Sequence, residues 1–228
     1  MDTDGKYLMI PNDSSRMMKV IVAAVLSLLL SVSVFLNFGY LQFLDSVFAS
    51  AIQKDQSHII QSFYKFISFL VSPGMDIFWV LVIAFLLWGF KYKIPALWAI
   101  LTIISGDVFC FIVKNVVRRD RPPLHLAKDS GFSYPSGHVF GIFMVIVILW
   151  LLVMPLVRKR AMKYTYETIM VVVLVLVMFA RIYLNAHFPT DTLGSVLFGF
   201  TWMYICEWLY GVFAPRLKQV TFLSNSKI

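Results

Sequence analysis

The sequence predicts an all-α fold: a bundle of six transmembrane helices with a short interfacial helical segment between the first and second. Three observations carry that expectation. Of 228 residues, 60% are hydrophobic and only 14% charged, with a mean hydropathy of +0.80, whereas soluble domains carry roughly a quarter charged residues. The apolar residues fall into stretches at roughly 18–36, 66–89, 94–114, 138–156, 166–184 and 192–213, each near the ~20 residues that cross a bilayer as helix. What is left over, one loop near 37–65, another near 115–137 and short tails, leaves room for a single membrane domain over 1–228 and for no soluble module.

The first stretch follows a polar tail with Asp2, Asp4, Lys6, Asp13 and Arg16. Its apolar run exceeds that of a signal peptide, and Ala49-Ser50-Ala51 lies too far beyond it for a cleavage site, so it reads as a retained anchor. From Ser46 to Lys65 apolar residues recur near helical spacing among polar ones, which suits a helix lying in the interface or a connector packed on the bundle. Pro73-Gly74 marks a kink or a late start in the second span. Lys114 closes the third span, Pro135-Ser136-Gly137-His138 opens the fourth, and Pro189 precedes the sixth. Two acids fall inside spans, Asp107 and Glu207, and are expected to pair structurally or to sit at a helix end. Cys110 and Cys206 also fall inside spans, without the spacing of a metal site or a disulfide framework.

A net charge of +8 would raise nucleic acid as a partner for a soluble chain. Here no basic stripe interleaves with aromatics, and membrane orientation accounts for the charge, so the expectation is no nucleic acid. With the N-terminus in the cytoplasm, the cytoplasmic loops hold Lys91 and Lys93, then Arg158, Lys159, Arg160 and Lys163, then Arg216 and Lys218. The positive-inside rule therefore puts both termini in the cytoplasm, and three polar clusters fall together on the outer face.

Those clusters read Lys114-x6-Arg121-Pro122, Pro135-Ser136-Gly137-His138 and Arg181-x5-His187-x3-Asp191. Alone, Lys114 would be a snorkelling lysine, Arg121 a solvated loop charge and Ser136 an N-cap. Together they supply three cations for an oxyanion and a helix N-terminus, where Gly137 permits close approach and Ser136 adds a hydroxyl donor. They also supply two imidazoles and a carboxylate four residues from one of them, groups suited to attack, protonation and orientation. His187 and Asp191 could instead be a metal ligand with its supporting carboxylate, but no further His, Cys or acidic cluster has ligand spacing, so neither metal nor cofactor is expected. Arg118, Arg119 and Asp120 read as solvated loop charges, and His58 and His125 as surface histidines. Chemistry alone leaves open which of His138 and His187 is nucleophile.

With these residues in this order the chain resembles the type 2 phosphatidic acid phosphatases, membrane enzymes that dephosphorylate lipid phosphates and share a catalytic core with vanadium-dependent haloperoxidases. The resemblance implies that His187 is the nucleophile, Asp191 its orienting carboxylate and His138 the general acid. It makes Lys114, Arg121, Ser136, Gly137 and Arg181 the phosphate cradle. One departure is Ala180, where the family usually has serine. It implies a metal-independent membrane lipid-phosphate phosphatase, forming a phosphohistidine at the outer face from undecaprenyl diphosphate, phosphatidylglycerophosphate or phosphatidate. The alternatives are a lipid phosphotransferase with the same intermediate, or a non-catalytic lipid-binding or transport homologue. The soluble haloperoxidases fit poorly with six spans. The expected partners are the lipid phosphate substrate and membrane lipids; oligomeric state is not legible.

Overall fold

The computed structural model describes residues 8–54, 57–123 and 129–228; His125 and Lys128 lie outside them. The described residues form eight α-helices: α1 (Arg16–Phe35), α2 (Gly39–Ile52), α3 (His58–Leu70), α4 (Met75–Gly89), α5 (Lys93–Val117), α6 (Gly137–Leu152), α7 (Arg160–Tyr183) and α8 (Pro189–Leu217). Five of these, α1, α5, α6 with the short turn after it, α7 and α8, are long and apolar enough to cross a membrane. The second span departs from a single helix over 66–89. Its residues fall in α3 and α4, bent by 52° and a sixth crossing only if the pair spans as one, with Gly74 at the break in the left-handed region at φ +99°. Pro73 supplies no N–H and Gly74 tolerates that φ, so the chain turns where the sequence marks it. The expected interfacial segment likewise resolves into two helices, α2 and α3. Ile59, Phe63, Phe66 and Phe69 form an exposed apolar stripe along α3, as a helix lying in the membrane interface requires. His58 opens that helix and is exposed.

α6 occupies the middle of the bundle, packed by α4, α5, α7 and α8, and most of its residues are buried. A helix apolar all round is the expected centre. α1 packs along α8 through a small-residue stripe, Ala23, Ser27 and Ser31. In lipid, where both faces of a helix can be apolar, close backbone approach and interhelical hydrogen bonds select the interface. Ser27 Oγ accordingly meets Thr201 Oγ1 at 3.2 Å, and Ser31 Oγ meets the Tyr134 hydroxyl at 3.1 Å. Gly141 serves the same purpose on α6, because a Cβ there would lie 2.1 Å from Asp76 Oδ2 at the start of α4.

Intramembrane charge is settled differently at two positions. Glu207 pairs with Arg16 across the α1–α8 interface, Nε to Oε2 at 3.2 Å. Asp107, half-buried on α5, forms no ion pair among the described residues, which corrects the expectation of pairing.

Candidate active site

Two helix C-termini and two helix N-termini meet at one end of the bundle, and local chain chemistry explains the motif spacings. α7 ends with Asn185 in the left-handed region at φ 51°. Ala186 N–H donates to the Arg181 carbonyl at 3.1 Å and Asn185 N–H to the Ile182 carbonyl at 2.9 Å, the paired bonds of a Schellman ending. That turn reverses the chain, and His187 N–H reaches the same Arg181 carbonyl at 3.3 Å. The five residues between Arg181 and His187 are thus one helix ending. α5 ends in the simpler single-bond αL turn: Arg118 is left-handed at φ 53°, and its N–H donates to the Lys114 carbonyl at 3.1 Å. Both cations, Lys114 and Arg181, sit in the last turn of a helix, where the dipole favours positive charge.

On the facing side, Ser136 caps α6 and Pro189 begins α8. Ser136 N–H donates to the Asp191 carbonyl at 3.3 Å, and Ser195 Oγ bridges the Ser136 and Asp191 carbonyls at 2.9 and 2.8 Å. The two N-termini are thereby locked together. His138 lies buried in the first turn of α6.

His187 is held just before α8. Arg121 Nη1 lies 3.3 Å from its Nε2, and because a guanidinium only donates, Nε2 presents its lone pair. The proton is then on Nδ1, which faces Asp191 Oδ2 at 3.6 Å. Burial, and then the positive charges of Arg181, Arg121 and Lys114 with His138 nearby, hold this imidazole well below its usual range, so it is neutral. Asp191 Oδ2 accepts from Phe188 N–H at 2.9 Å, fixing the carboxylate at the helix start. A neutral imidazole with its lone pair toward clustered cations can attack an electrophile that those cations hold.

The structure brings Lys114, Arg121, Ser136, Gly137, His138, Arg181, His187 and Asp191 to this one end. Ala180 is fully buried, and it removes a hydroxyl but no charge. Arg119 departs from expectation, for it is not a solvated charge. Its Nη1 donates to Asp191 Oδ1 at 2.6 Å and to Thr190 Oγ1 at 2.7 Å, its Nη2 to Asp45 Oδ2 at 2.7 Å, and its guanidinium lies 4.0 Å from the Phe188 ring. The two carboxylates beside it hold it charged, above the usual guanidinium range despite its burial. Asp45, also missed, is the single acid in the apolar helix α2. It accepts from Thr190 N–H at 2.9 Å and Thr190 Oγ1 at 2.8 Å, pinning α2 onto α8. A cavity of about 620 Å³ opens beside these groups, lined by Phe35, Asp45, Arg119, Arg121, Asn185 and His187 among others, within the ~300–1,000 Å³ of small-ligand sites.

The family model of the PAP2 superfamily matches residues 95–213, just over half of the chain and all three clusters. The chain belongs to the PAP2 superfamily. Phosphatidylglycerophosphatase B of Bacillus subtilis (strain 168) is 35% identical over 98 residues, 42% of this chain and 48% of that protein. The match thus spans about half the length of that curated relative. Among solved structures, the transmembrane PAP2 type phosphatidylglycerolphosphate phosphatase from Bacillus subtilis superposes with a TM-score of 0.75 at 24% identity, covering 89% of this chain and 98% of that one. Aquifex aeolicus LpxE superposes with a TM-score of 0.53 at 21% identity, covering 73% and 93%. These two likenesses establish the PAP2 transmembrane fold for the chain, a multi-pass membrane protein.

Proposed function

We propose that this PAP2 protein is a membrane lipid-phosphate phosphatase whose phosphoryl group passes through His187. The observation that carries the reading is the His187 Nε2 lone pair, 3.3 Å from Arg121 Nη1, with Asp191 behind the other ring nitrogen. Lys114, Arg121 and Arg181, with Ser136 and the N–H groups opening α6, bind the non-bridging oxygens. Nε2 attacks phosphorus in line and the P–O bond to the leaving group breaks. The leaving oxygen takes its proton from His138, and Asp191 stabilises the charge that develops on His187. Water, deprotonated by His138, then cleaves the phosphohistidine and releases phosphate. A lipid whose phosphate monoester or diphosphate reaches the interface fits, its chain remaining in the bilayer. The name of the Bacillus subtilis relative supports phosphatidylglycerophosphate as the first substrate to test.

Purified protein assayed in detergent against phosphatidylglycerophosphate, phosphatidate, undecaprenyl diphosphate and a water-soluble phosphate is the direct test. Preferential release of phosphate from lipid substrates supports the reading, and no release from any of them defeats it. Vanadate is expected to inhibit, since its five-coordinate form fits the same cradle, and chelator is expected to leave turnover intact. Loss of activity in chelator with rescue by a divalent ion would overturn the metal-independent mechanism.

We further place the site on the extracytoplasmic face, with both termini in the cytoplasm. Lys54, exposed beyond α2, and Lys159, exposed before α7, mark opposite ends of the bundle. In intact cells Lys54→Cys should label with an impermeant thiol reagent and Lys159→Cys should not. The reverse pattern would move the site to the cytoplasm.

A further inference from the structure

The three cations of the cradle already have acceptors, and a single four-residue run supplies most of them. Asp129 Oδ2 accepts from Arg181 Nη2 and lies 3.6 Å from Arg121 Nη1. The Ser130 and Gly131 carbonyls accept from Arg121 at 3.2 and 2.9 Å, and the Phe132 carbonyl accepts from Lys114 Nζ at 2.8 Å. Gly131, at φ +76°, permits the turn that aims this run inward. Arg181 also donates to Ser68 Oγ, and Ala186 offers its carbonyl to Arg121 at 2.9 Å.

Asp129 is the only carboxylate among these acceptors, and it does not exhaust the donors. Arg181 Nε and Ser136 Oγ are buried without a hydrogen-bond partner among the described residues, and the two residues are 1% and 0% exposed. Unsatisfied buried donors are costly, so the cradle is built for an anion with more oxygens than a carboxylate offers. The burial of the two sides is unequal. The Arg181 side chain is 1% exposed and that of Asp129 is 22% exposed, so the carboxylate can swing to water while the guanidinium stays.

We infer that Asp129 is a resident anion that the substrate phosphate must displace, and that it makes the site selective for dianionic phosphates over the monoanionic phosphodiesters of bulk lipid. The inference rests on the proposed phosphatase reading. A tethered carboxylate competes at an effective concentration of ~mM or more. A monoester or terminal diphosphate carries ≈ −1.5 to −2 near pH 7 and gains Coulomb energy by replacing a single charge. A diester lipid carries one charge, gains nothing on exchange, and loses to the tethered competitor. The membrane presents such diesters in excess, so the exclusion matters for turnover.

The test measures inhibition of lipid-phosphate hydrolysis in mixed micelles by two probes, inorganic phosphate and phosphatidylglycerol, for the full-length enzyme and for Asp129→Asn, Asp129→Ala and Asp129→Glu. Both neutral variants are expected to bind inorganic phosphate about tenfold more tightly and to become competitively inhibited by phosphatidylglycerol, while the wild type and Asp129→Glu are not. An unchanged or weakened phosphate affinity in both neutral variants would overturn the inference and make Asp129 a positioning residue for Arg181. Competitive inhibition of the wild type by phosphatidylglycerol would overturn it as well. A wild-type enzyme that neither hydrolyses lipid phosphates nor responds to phosphate would defeat the phosphatase reading itself, a result distinct from either.

Discussion

His187→Ala is expected to remove both turnover and any covalent phosphoenzyme, because it deletes the Nε2 lone pair that lies beside Arg121 with Asp191 behind the ring. Alkaline quench of the enzyme with labelled substrate measures the intermediate directly. His138→Ala is expected to behave differently. An alkoxide leaves poorly without a proton, so hydrolysis of alkyl phosphates should fall by the ~10²–10⁴ typical of general-acid help. An activated aryl phosphate needs little such help, so phosphoenzyme should still form from it. If His187→Ala continues to form phosphoenzyme while His138→Ala does not, the two roles are exchanged. Asp191→Asn should leave the ring in place but remove the charge that favours the Nδ1–H tautomer, and should lower kcat more than it raises KM.

Arg119→Ala is expected to be among the most destabilising single changes at this end of the bundle. The guanidinium bridges Asp45 and Asp191, whose side chains are 2% and 0% exposed, so its loss leaves two buried carboxylates near each other without the ion pairs that hold them. Removing one partner of such a pair costs about 3–5 kcal/mol, which for a chain of this length corresponds to a fall of roughly 10 °C in thermal midpoint. Activity should fall further than stability explains, because Asp191 would lose the Oδ1 contact that orients it behind His187. Arg119→Lys should rescue little, since an ammonium lacks the planar fork that reaches both carboxylates and Thr190. Asp45→Asn isolates the other arm: it should loosen α2 and lower the midpoint while sparing most of kcat. An Arg119→Ala enzyme with wild-type midpoint and kcat would restore the solvated-charge reading.

That Lys114, Ser136, Gly137, His138, Arg181, His187 and Asp191 gather at one end of the bundle was legible because each lies at or beside a helix end whose chemistry is local, and Arg121 follows the end of α5 by four residues. The x5 spacing from Arg181 to His187 is a Schellman ending around Asn185, and the αL residue Arg118 closes α5 four residues after Lys114. Hydropathy marked the spans for the same reason: a helix satisfies its own backbone in lipid whatever its neighbours. The break at Pro73-Gly74 was visible as punctuation, but its 52° angle was not.

Arg119, Asp45 and Asp129 were not legible as site residues. Their partners lie far along the chain: Arg119 meets Asp45 across 74 residues and Asp191 across 72, and Asp129 meets Arg181 across 52. Composition and motif spacing determined that this chain spans a membrane and gathers cations and imidazoles at helix ends, because helix formation, capping and burial in lipid depend on neighbours within a few residues. Only the tertiary structure decided which charges share a partner. In a buried, low-dielectric site each cation takes the acceptor that packing delivers to it, and packing is a property of the assembled bundle.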